Sequence, residues 1–253
     1  MLQWLGCRKG LGSGFGPADR LRKMKEDKRM IKVDFHLHTE YSMDSLSPIG
    51  ELYDRARELG LGKLVITDHN TIAGALRLKE KYPDYVIVGE EIKTNRGEIL
   101  AYFVKEEIPK YVDALEAFQR LKEQNAFISL AHPYAFKRYG WSEEEMRTFM
   151  PYLDAIETGN ARNTSFLNRR AVVFAARHGL AGTFGSDAHG VQELGRMGLE
   201  LPDFNTADEL RAAIRQSRPF GRESSLFVRY YSRKAAFMKM IRPTLTPAAS
   251  PSH

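Results

Sequence analysis

The feature that most constrains this chain is an alternation. From Ile31 onward, short apolar β-type runs are followed repeatedly by stretches with helical spacing. Ile31–Phe35 reads as a strand. Ser47-Pro48 reads as an N-cap followed by proline at the first helical position, opening a helix that runs to Gly60. Lys63–Thr67 is a short buried strand, and a short helix follows near Ile72–Glu80. Tyr85–Ile92 and Glu98–Val104 form a hairpin around Thr94-Asn95-Arg96-Gly97, which carries turn chemistry. Lys110–Asn125 places Leu115, Phe118 and Leu121 at helical spacing, and Ala126–Ala131 is the next strand. Ser142 and Glu145 form a capping box; Tyr152–Thr158 is a strand; Ser165–His178 is a helix closed by Gly179. Ala181–Ser186 is a further strand, and Thr206 with Glu209 caps the last clear helix. Serial β-α units predict parallel strands with helices outside, as a barrel or an open sheet.

The polar residues fall on this alternation in a pattern. Asp34, His36 and His38, then Asp68 and His69, Glu90 and Glu91, His132, and Asp187 with His189 each lie at or just past a strand's C-terminal end. Alternate residues on a strand share a side, so His36 and His38 aim two imidazoles at one place. Neutral imidazole is the commonest side-chain donor to transition metals. Five of the seven histidines belong to this set. His178, at a helix end, is read as a helix C-terminal cation and not as a ligand.

Composition bounds the function. The 253 residues suffice for one domain with its own core. No apolar run approaches the roughly 20 residues that span a membrane. Cys7 is the sole cysteine, so no internal disulfide forms, which fits a reducing, cytoplasmic setting. Leu2–Cys7 superficially matches a lipoprotein cleavage site but no apolar segment precedes it. The net charge of +6 sits at the ends: eight Lys/Arg against three Asp/Glu in residues 1–30, seven against one in 218–253, and 23 against 28 between. An acidic centre with clustered histidines suits cation binding and argues against a nucleic-acid-binding domain.

The motifs Asp34-x-His36-x-His38-Thr39, Thr67-Asp68-His69, Gly89-Glu90-Glu91-Ile92, Ala131-His132-Pro133 and Ser186-Asp187-Ala188-His189 resemble those of the PHP (polymerase and histidinol phosphatase) superfamily, in the family's order, over residues 31–195. The resemblance implies an α/β fold: a distorted (β/α)7 barrel of the PHP type in a single domain. It implies two or three divalent ions, Mn, Zn or Fe, at the strand C-termini, and phosphoester hydrolysis. Carried over, His36, His38, Glu91 and Asp187 hold the first metal; Glu91 bridges to a second, which His132 also holds; Asp44, His69 and His189 hold the third. Asp187, His189 and Glu91 are the catalytic candidates. Where the family places a further histidine, this chain has Glu98, which either ligates the second metal in its place, leaves that site vacant or weak, or is a solvated hairpin residue. Asp34 and Asp68 are expected to orient imidazoles from behind, or else to cap strand-end amides. Arg162 and Arg138 are candidates to grip phosphate, and Asn160 matches a recurrent family position.

The expected activity is hydrolysis of a phosphomonoester or phosphodiester, in a small phosphorylated metabolite or nucleotide, by hydroxide generated at the metal site. A nuclease acting on ends of short nucleic acids and a catalytically silent metal-binding module are the alternatives. A metal-dependent amidohydrolase would want a bridging lysine at a strand end, and none of the expected strands ends in one. The expected organisation is a mobile basic leader over 1–29, with Met30 an alternative start, the PHP domain over 30–224, and a strand/helix extension with a loose tail over 225–253.

Overall fold

The computed structural model of the chain describes residues 29–225, 228–242 and 245–247. The leader predicted over 1–29 lies outside them except for Arg29, whose carbonyl accepts from Asp203 N at 2.9 Å. The strands are β1 (Met30–Asp34), β2 (Leu61–Ile66), β3 (Val86–Lys93), β4 (Glu98–Tyr102), β5 (Phe127–Leu130), β6 (Ala155–Asn160), β7 (Ala181–Gly185), β8 (Met197–Pro202) and β9 (Arg218–Gly221). The helices are α1 (Ile49–Glu58), α2 (Ala73–Lys81), α3 (Ala114–Glu123), α4 (Glu143–Phe149), α5 (Ser165–His178), α6 (Ala207–Ala213) and α7 (Val228–Ile241).

They build one sheet in the order β7-β6-β5-β4-β3-β2-β1-β8-β9. β1–β2, β2–β3, β5–β6 and β6–β7 pair in parallel, while β4 runs antiparallel to both neighbours. The sheet curls until the chain beyond β1 meets the chain beyond β7. Phe35 N donates to Phe184 O at 3.2 Å, Asp187 N to His36 O at 2.7 Å, and Leu37 bridges Ala188 in parallel. The result is the expected α/β single domain, with a nearly closed, distorted barrel. Its distortion has a visible cause: β8 pairs antiparallel with β1 lower down and carries β9 with it.

Apolar packing fills both sides of the sheet. Outside, Leu64, Ile66, Val86 and Ile128 pack with Leu52, Leu78, Phe118 and Leu121 of the helices. Inside, Phe35, Tyr102, Phe127 and Phe204 pack in a chain with ring centroids 5.5–6.1 Å apart, stacked except for the tilted Phe35–Tyr102 pair.

Local signals explain most boundaries. The Ser142–Glu145 capping box forms as expected, Thr206 accepts from Glu209 N, and Gly179 closes α5 with φ 67°. Two expectations shift. Pro48 itself caps α1, and Ser47 turns its hydroxyl to Ser45 instead. Pro151 joins a 3-10 turn over Met150–Tyr152, so β6 starts at Ala155 and runs on to Asn160. At the other end of the chain, α7 is a single helix of 14 residues beyond the barrel.

Candidate metal centre

The open mouth of the barrel gathers the strand-end residues. Parallel strands deliver His36, His38, His69, His132, Asp187 and His189 just past their ends, and Glu91 from within β3. β4 runs the other way, so its first residue, Glu98, stands beside Lys93 at the same rim. A strand-start residue thus reaches a site otherwise built from strand ends.

The donor atoms lie close together. His36 Nε2 is 3.2 Å from His38 Nε2 and 3.2 Å from Glu91 Oε2, and His38 Nε2 is 3.3 Å from the same oxygen. Asp187 Oδ1 is 3.5 Å from His38 Nε2 and 3.8 Å from His36 Nε2. His132 Nε2 is 3.0 Å from Glu91 Oε1 and 3.2 Å from Glu98 Oε2. Asp44 Oδ2 is 3.0 Å from His189 Nε2 and 3.6 Å from His69 Nε2. His69 Nδ1 is 3.0 Å from Glu91 Oε2. Among the described residues, three groups could each hold an ion: His36/His38/Glu91, Glu91/Glu98/His132 and His38/His69/His189. Donors about 2.0–2.1 Å from a tetrahedral ion stand about 3.3 Å apart, so these spacings match a shared cation.

Outer contacts fix the rings. His36 Nδ1 faces Glu157 Oε1 at 2.9 Å, which favours a proton on Nδ1 and would leave Nε2 as the donor to a bound cation. His38 Nδ1 faces Ser42 Oγ at 3.3 Å, and Ser42 donates to Asp68 Oδ1 at 2.8 Å. His189 Nδ1 donates to its neighbour's carbonyl, Asp187 O, at 2.9 Å. Two close, inward-aimed Nε2 atoms on His36 and His38 suit a cation better than each other. Asp187 Oδ1 and Asp44 Oδ1 are buried without a hydrogen-bond partner among the described residues. The residues present fit divalent ions.

Charge in this enclosed space moves the titrations. Burial favours the neutral Glu91 carboxyl, yet His36 and His69, with hydrogen bonds from His132 and His36, hold it well below the usual range. Burial likewise opposes ionisation of Asp187, and Arg138 and His36 overcome it. Burial opposes protonating His69, but Glu91 and Asp44 push it up to about 10. His38 goes the other way, to about 3, through burial and the charges of His189 and His69. A dense set of opposed shifts marks a site where a cation would replace protons.

The turns that carry two donors are strained. His132 has φ 27° and Asp187 φ 54°, both left-handed, and His132 also precedes Pro133, which disfavours that conformation further. Such backbone persists where surrounding contacts enforce it: Glu157 Oε2 accepts from His132 N at 2.7 Å, and His36 O accepts from Asp187 N.

The remaining expected residues divide. Glu98 is buried, at 7% exposure, and faces His132, which excludes the reading of a solvated hairpin residue. Glu90 points away from the cluster, with Oε2 accepting from Ile108 N. Asp68 orients His38 through Ser42 and also accepts from Thr39 N at 2.6 Å. Asp34 touches no imidazole; it accepts from the amides of His36, Ser186 and Gly195, the strand-end capping role. Asn160 lies beneath the site and donates to Glu157 Oε2 and Asp187 Oδ2, so it holds carboxylates instead of meeting substrate. Arg162 is the clearest correction. Its fork closes on Glu193 with bonds of 2.9 and 2.8 Å and does not stand open for phosphate. Arg138 reaches the mouth and pairs with Asp187 Oδ2. A motif strand does end in lysine, because β3 runs to Lys93, but its Nζ sits 3.2 Å over the Tyr139 ring and not among the donors.

Glu157 and Ser42 hold candidate ligands in place, and the sequence did not single them out. Glu157 sits inside a fully buried strand, where an acid needs a partner, and that was its only signal. A cleft of about 1040 Å³ opens over the cluster, lined by Tyr41, Asp44, His69, Glu98, Arg138 and His189 among others.

Comparison with known proteins agrees with this geometry. The model of the PHP domain matches residues 34–154, and that of a PHP-associated segment matches 166–219. The uncharacterized Methanocaldococcus jannaschii protein MJ0417 is 34% identical over 180 residues, covering 69% of this chain and 72% of its own. The chain belongs to the PHP family. A second uncharacterized protein of that organism, MJ1587, is 34% identical to this PHP protein over 146 residues, or 52% of this chain and 82% of its own. Among solved structures, PsfC from Pseudomonas syringae PB-5123 superposes with a TM-score of 0.63 at 17% identity, over 83% of this chain and 99% of that one. A candidate metal-dependent phosphoesterase from Bifidobacterium adolescentis ATCC 15703 gives 0.56 at 20%, over 79% and 99%. An amidohydrolase from Chromobacterium violaceum gives 0.51 at 14%, over 64% and 89%. At these identities the superpositions establish the PHP protein's fold. No described helix is long and apolar enough to cross a membrane.

Proposed function

We propose that this PHP protein hydrolyses a phosphomonoester or phosphodiester of a small phosphorylated metabolite or nucleotide, with two or three divalent ions. His36, His38, Glu91 and Asp187 would hold one ion; Glu91, Glu98 and His132 a second; Asp44, His69 and His189 a third. The observation that carries the reading is the sharing of Glu91. Its Oε2 lies 3.0–3.3 Å from His36, His38 and His69, and its Oε1 lies 3.0 Å from His132. One carboxylate facing several donor groups suits a multinuclear centre.

The chemistry supplied by bound divalent ions is neutralisation of charge at phosphoryl oxygens and acidification of water toward a pKa of about 7. The chain's own residues prepare that site. Glu157 and the Ser42–Asp68 pair keep protons on the outer nitrogens of His36 and His38, so their inner nitrogens stay free to donate. Asn160 and Arg138 hold Asp187 by Oδ2 and leave Oδ1 facing inward. Arg138 and Lys137, on the cleft wall, supply positive charge for a phosphate group entering from solvent.

The test loads purified protein with Mn2+, counts bound metal, and measures turnover of p-nitrophenyl phosphate and its bis ester. Mononucleotides, nucleoside bisphosphates and short RNA follow. Two or three ions per chain with turnover is expected, and Asp187→Asn should lose both turnover and bound metal. Stoichiometric metal without turnover on any of these esters refutes the hydrolase and leaves the silent module. Turnover confined to RNA ends moves the assignment to a nuclease.

A further inference from the structure

Among the described residues, α7 presents one inward face made by Ser232, Ala235 and Lys239, spaced as one stripe of a helix. Ser232 Oγ accepts from Arg162 Nη1 at 3.1 Å, and Ala235 is 2% exposed. Lys239 is unusual. It is 6% exposed, and its Nζ donates to two backbone carbonyls, Glu40 O at 2.5 Å and Ser42 O at 2.6 Å. Lysine is rarely buried without a carboxylate partner, so a buried ammonium held by carbonyls needs a reason.

The segment it grips supplies one. Residues 39–48 form an irregular loop between β1 and α1. It carries Asp44, which faces His69 and His189, and Ser42, whose hydroxyl contacts His38, Asp68 and the amide of His69. Other contacts hold the loop from its own ends and from the barrel: Thr39 N and Oγ1 to Asp68, Tyr41 N to Thr39 Oγ1, Ser42 N to Thr39 O, Ser45 N to Ser42 O, Glu40 N to Ser47 O, Ile49 N to Glu40 Oε1, and the Ser45 hydroxyl to the carbonyls of His38 and His189; Lys239 adds the contact that comes from α7. Lys239 bonds the carbonyls on either side of Tyr41, and the nearer of them, Ser42 O, lies two residues before Asp44. The clamp comes from a helix nearly 200 residues later in the chain, beyond the barrel.

We infer that Lys239 is a positioning residue, which fixes the 40–44 loop so that the Asp44 carboxylate meets His69 and His189 and they hold an ion together. This rests on reading Asp44 as a donor in the proposed metal centre. The C-terminal helix is then a working part of the site. Clamping and mere charge make opposite predictions. A lysine acting only as a nearby positive charge repels a cation, so removing it strengthens cation binding. A lysine acting as a clamp strengthens binding by ordering the donor, so removing it weakens binding.

The experiment titrates Mn2+ into the full chain, its metal first stripped with chelator, and follows binding by calorimetry and Mn2+ electron paramagnetic resonance. Lys239→Met, Asp44→Asn and the double variant are compared with the unaltered chain. Loss of a contact behind a metal ligand costs about 10–100-fold in affinity. Lys239→Met should weaken one class of Mn2+ binding by that factor, and the same class that Asp44→Asn loses. The double variant should be no worse than Asp44→Asn alone, because the clamp acts through Asp44. Unchanged or tighter binding by Lys239→Met, or additive losses in the double variant, overturn the proposal. If Lys239→Met fails to fold, Lys239→Gln is used, which keeps a donor of shorter reach; it should lose about 3–10-fold in the same class, and binding equal to that of the unaltered chain overturns the clamp. Normal binding by Asp44→Asn instead overturns the reading of Asp44 itself and the clamp with it. Because the readout is metal binding, a failure to find phosphoester turnover leaves these outcomes separate.

Discussion

Glu90 offers a sharp test of the packing around the site, because its neighbour in sequence, Glu91, has every partner that Glu90 lacks. Its side chain is fully buried; Oε2 accepts one bond, from Ile108 N at 3.1 Å, and Oε1 has no partner among the described residues. Burial, aided by the charge of Glu107, pushes its carboxyl up to about 8 from 4.5, against the Ile108 bond. In the unfolded chain the group ionises near the lower value. Between these values the folded chain therefore binds more protons than the unfolded one, and stability falls as pH rises. Each pH unit separating the two is worth about 1.36 kcal/mol, so the loss on going from about pH 4.5 to above 8 is on the order of 4–5 kcal/mol. Glu90→Gln removes this titration and keeps an acceptor for Ile108, at a pH-independent cost of about 1–3 kcal/mol for its unpaired amide hydrogens. Urea unfolding of both proteins, with chelator present, at pH 5, 6, 7 and 8 gives the difference directly. The variant should be the less stable at pH 5 and gain on the parent at about 1 kcal/mol per unit, overtaking it before pH 8. A difference that stays flat across the four pH values refutes the reasoning.

Other expectations follow from the same contacts. Glu98→His should leave the Mn2+ content unchanged or raised, while Glu98→Ala should weaken one bound ion; elemental analysis after dialysis reads both, and an Ala variant with full metal content counts against Glu98 as a donor. Glu157→Gln keeps size but removes the carboxylate that faces His36 Nδ1, so metal affinity should drop about 10–100-fold with the melting curve little changed. Gly97→Ala would bring a Cβ to 2.5 Å from the Trp141 ring, whose Nε1 bonds Glu98 O. Overpacking there should cost about 1–3 kcal/mol in thermal unfolding, and an unshifted melting temperature would show that Trp141 can yield.

Much of the centre is legible in the sequence because its donors sit at strand ends, and strand ends are marked by apolar runs that stop. His36, His38, His69, His132, Asp187 and His189 announce themselves in this way. Glu98 was legible only as an anomaly, since a hairpin residue reads as exposed until β4 is seen to start at the same rim where the parallel strands finish. Glu157 was not legible. It lies inside an unbroken buried strand, and its partner His36 is 121 residues away. Arg162 was misread for the same reason in reverse: its local sequence suggests a phosphate grip, but Glu193, 31 residues on, takes the fork.

Local sequence determined the periodicities, the caps and the donor chemistry, because these depend on residues within a turn or two of each other. Only the curled sheet decided which nitrogen of each histidine faces inward, which carboxylates stay paired, and that a lysine from α7 would grip the loop after β1. Those choices are made by burial. Inside a low-dielectric enclosure a polar atom left without a partner is costly, and the partners available are set by strands and loops that meet only when the sheet curls round.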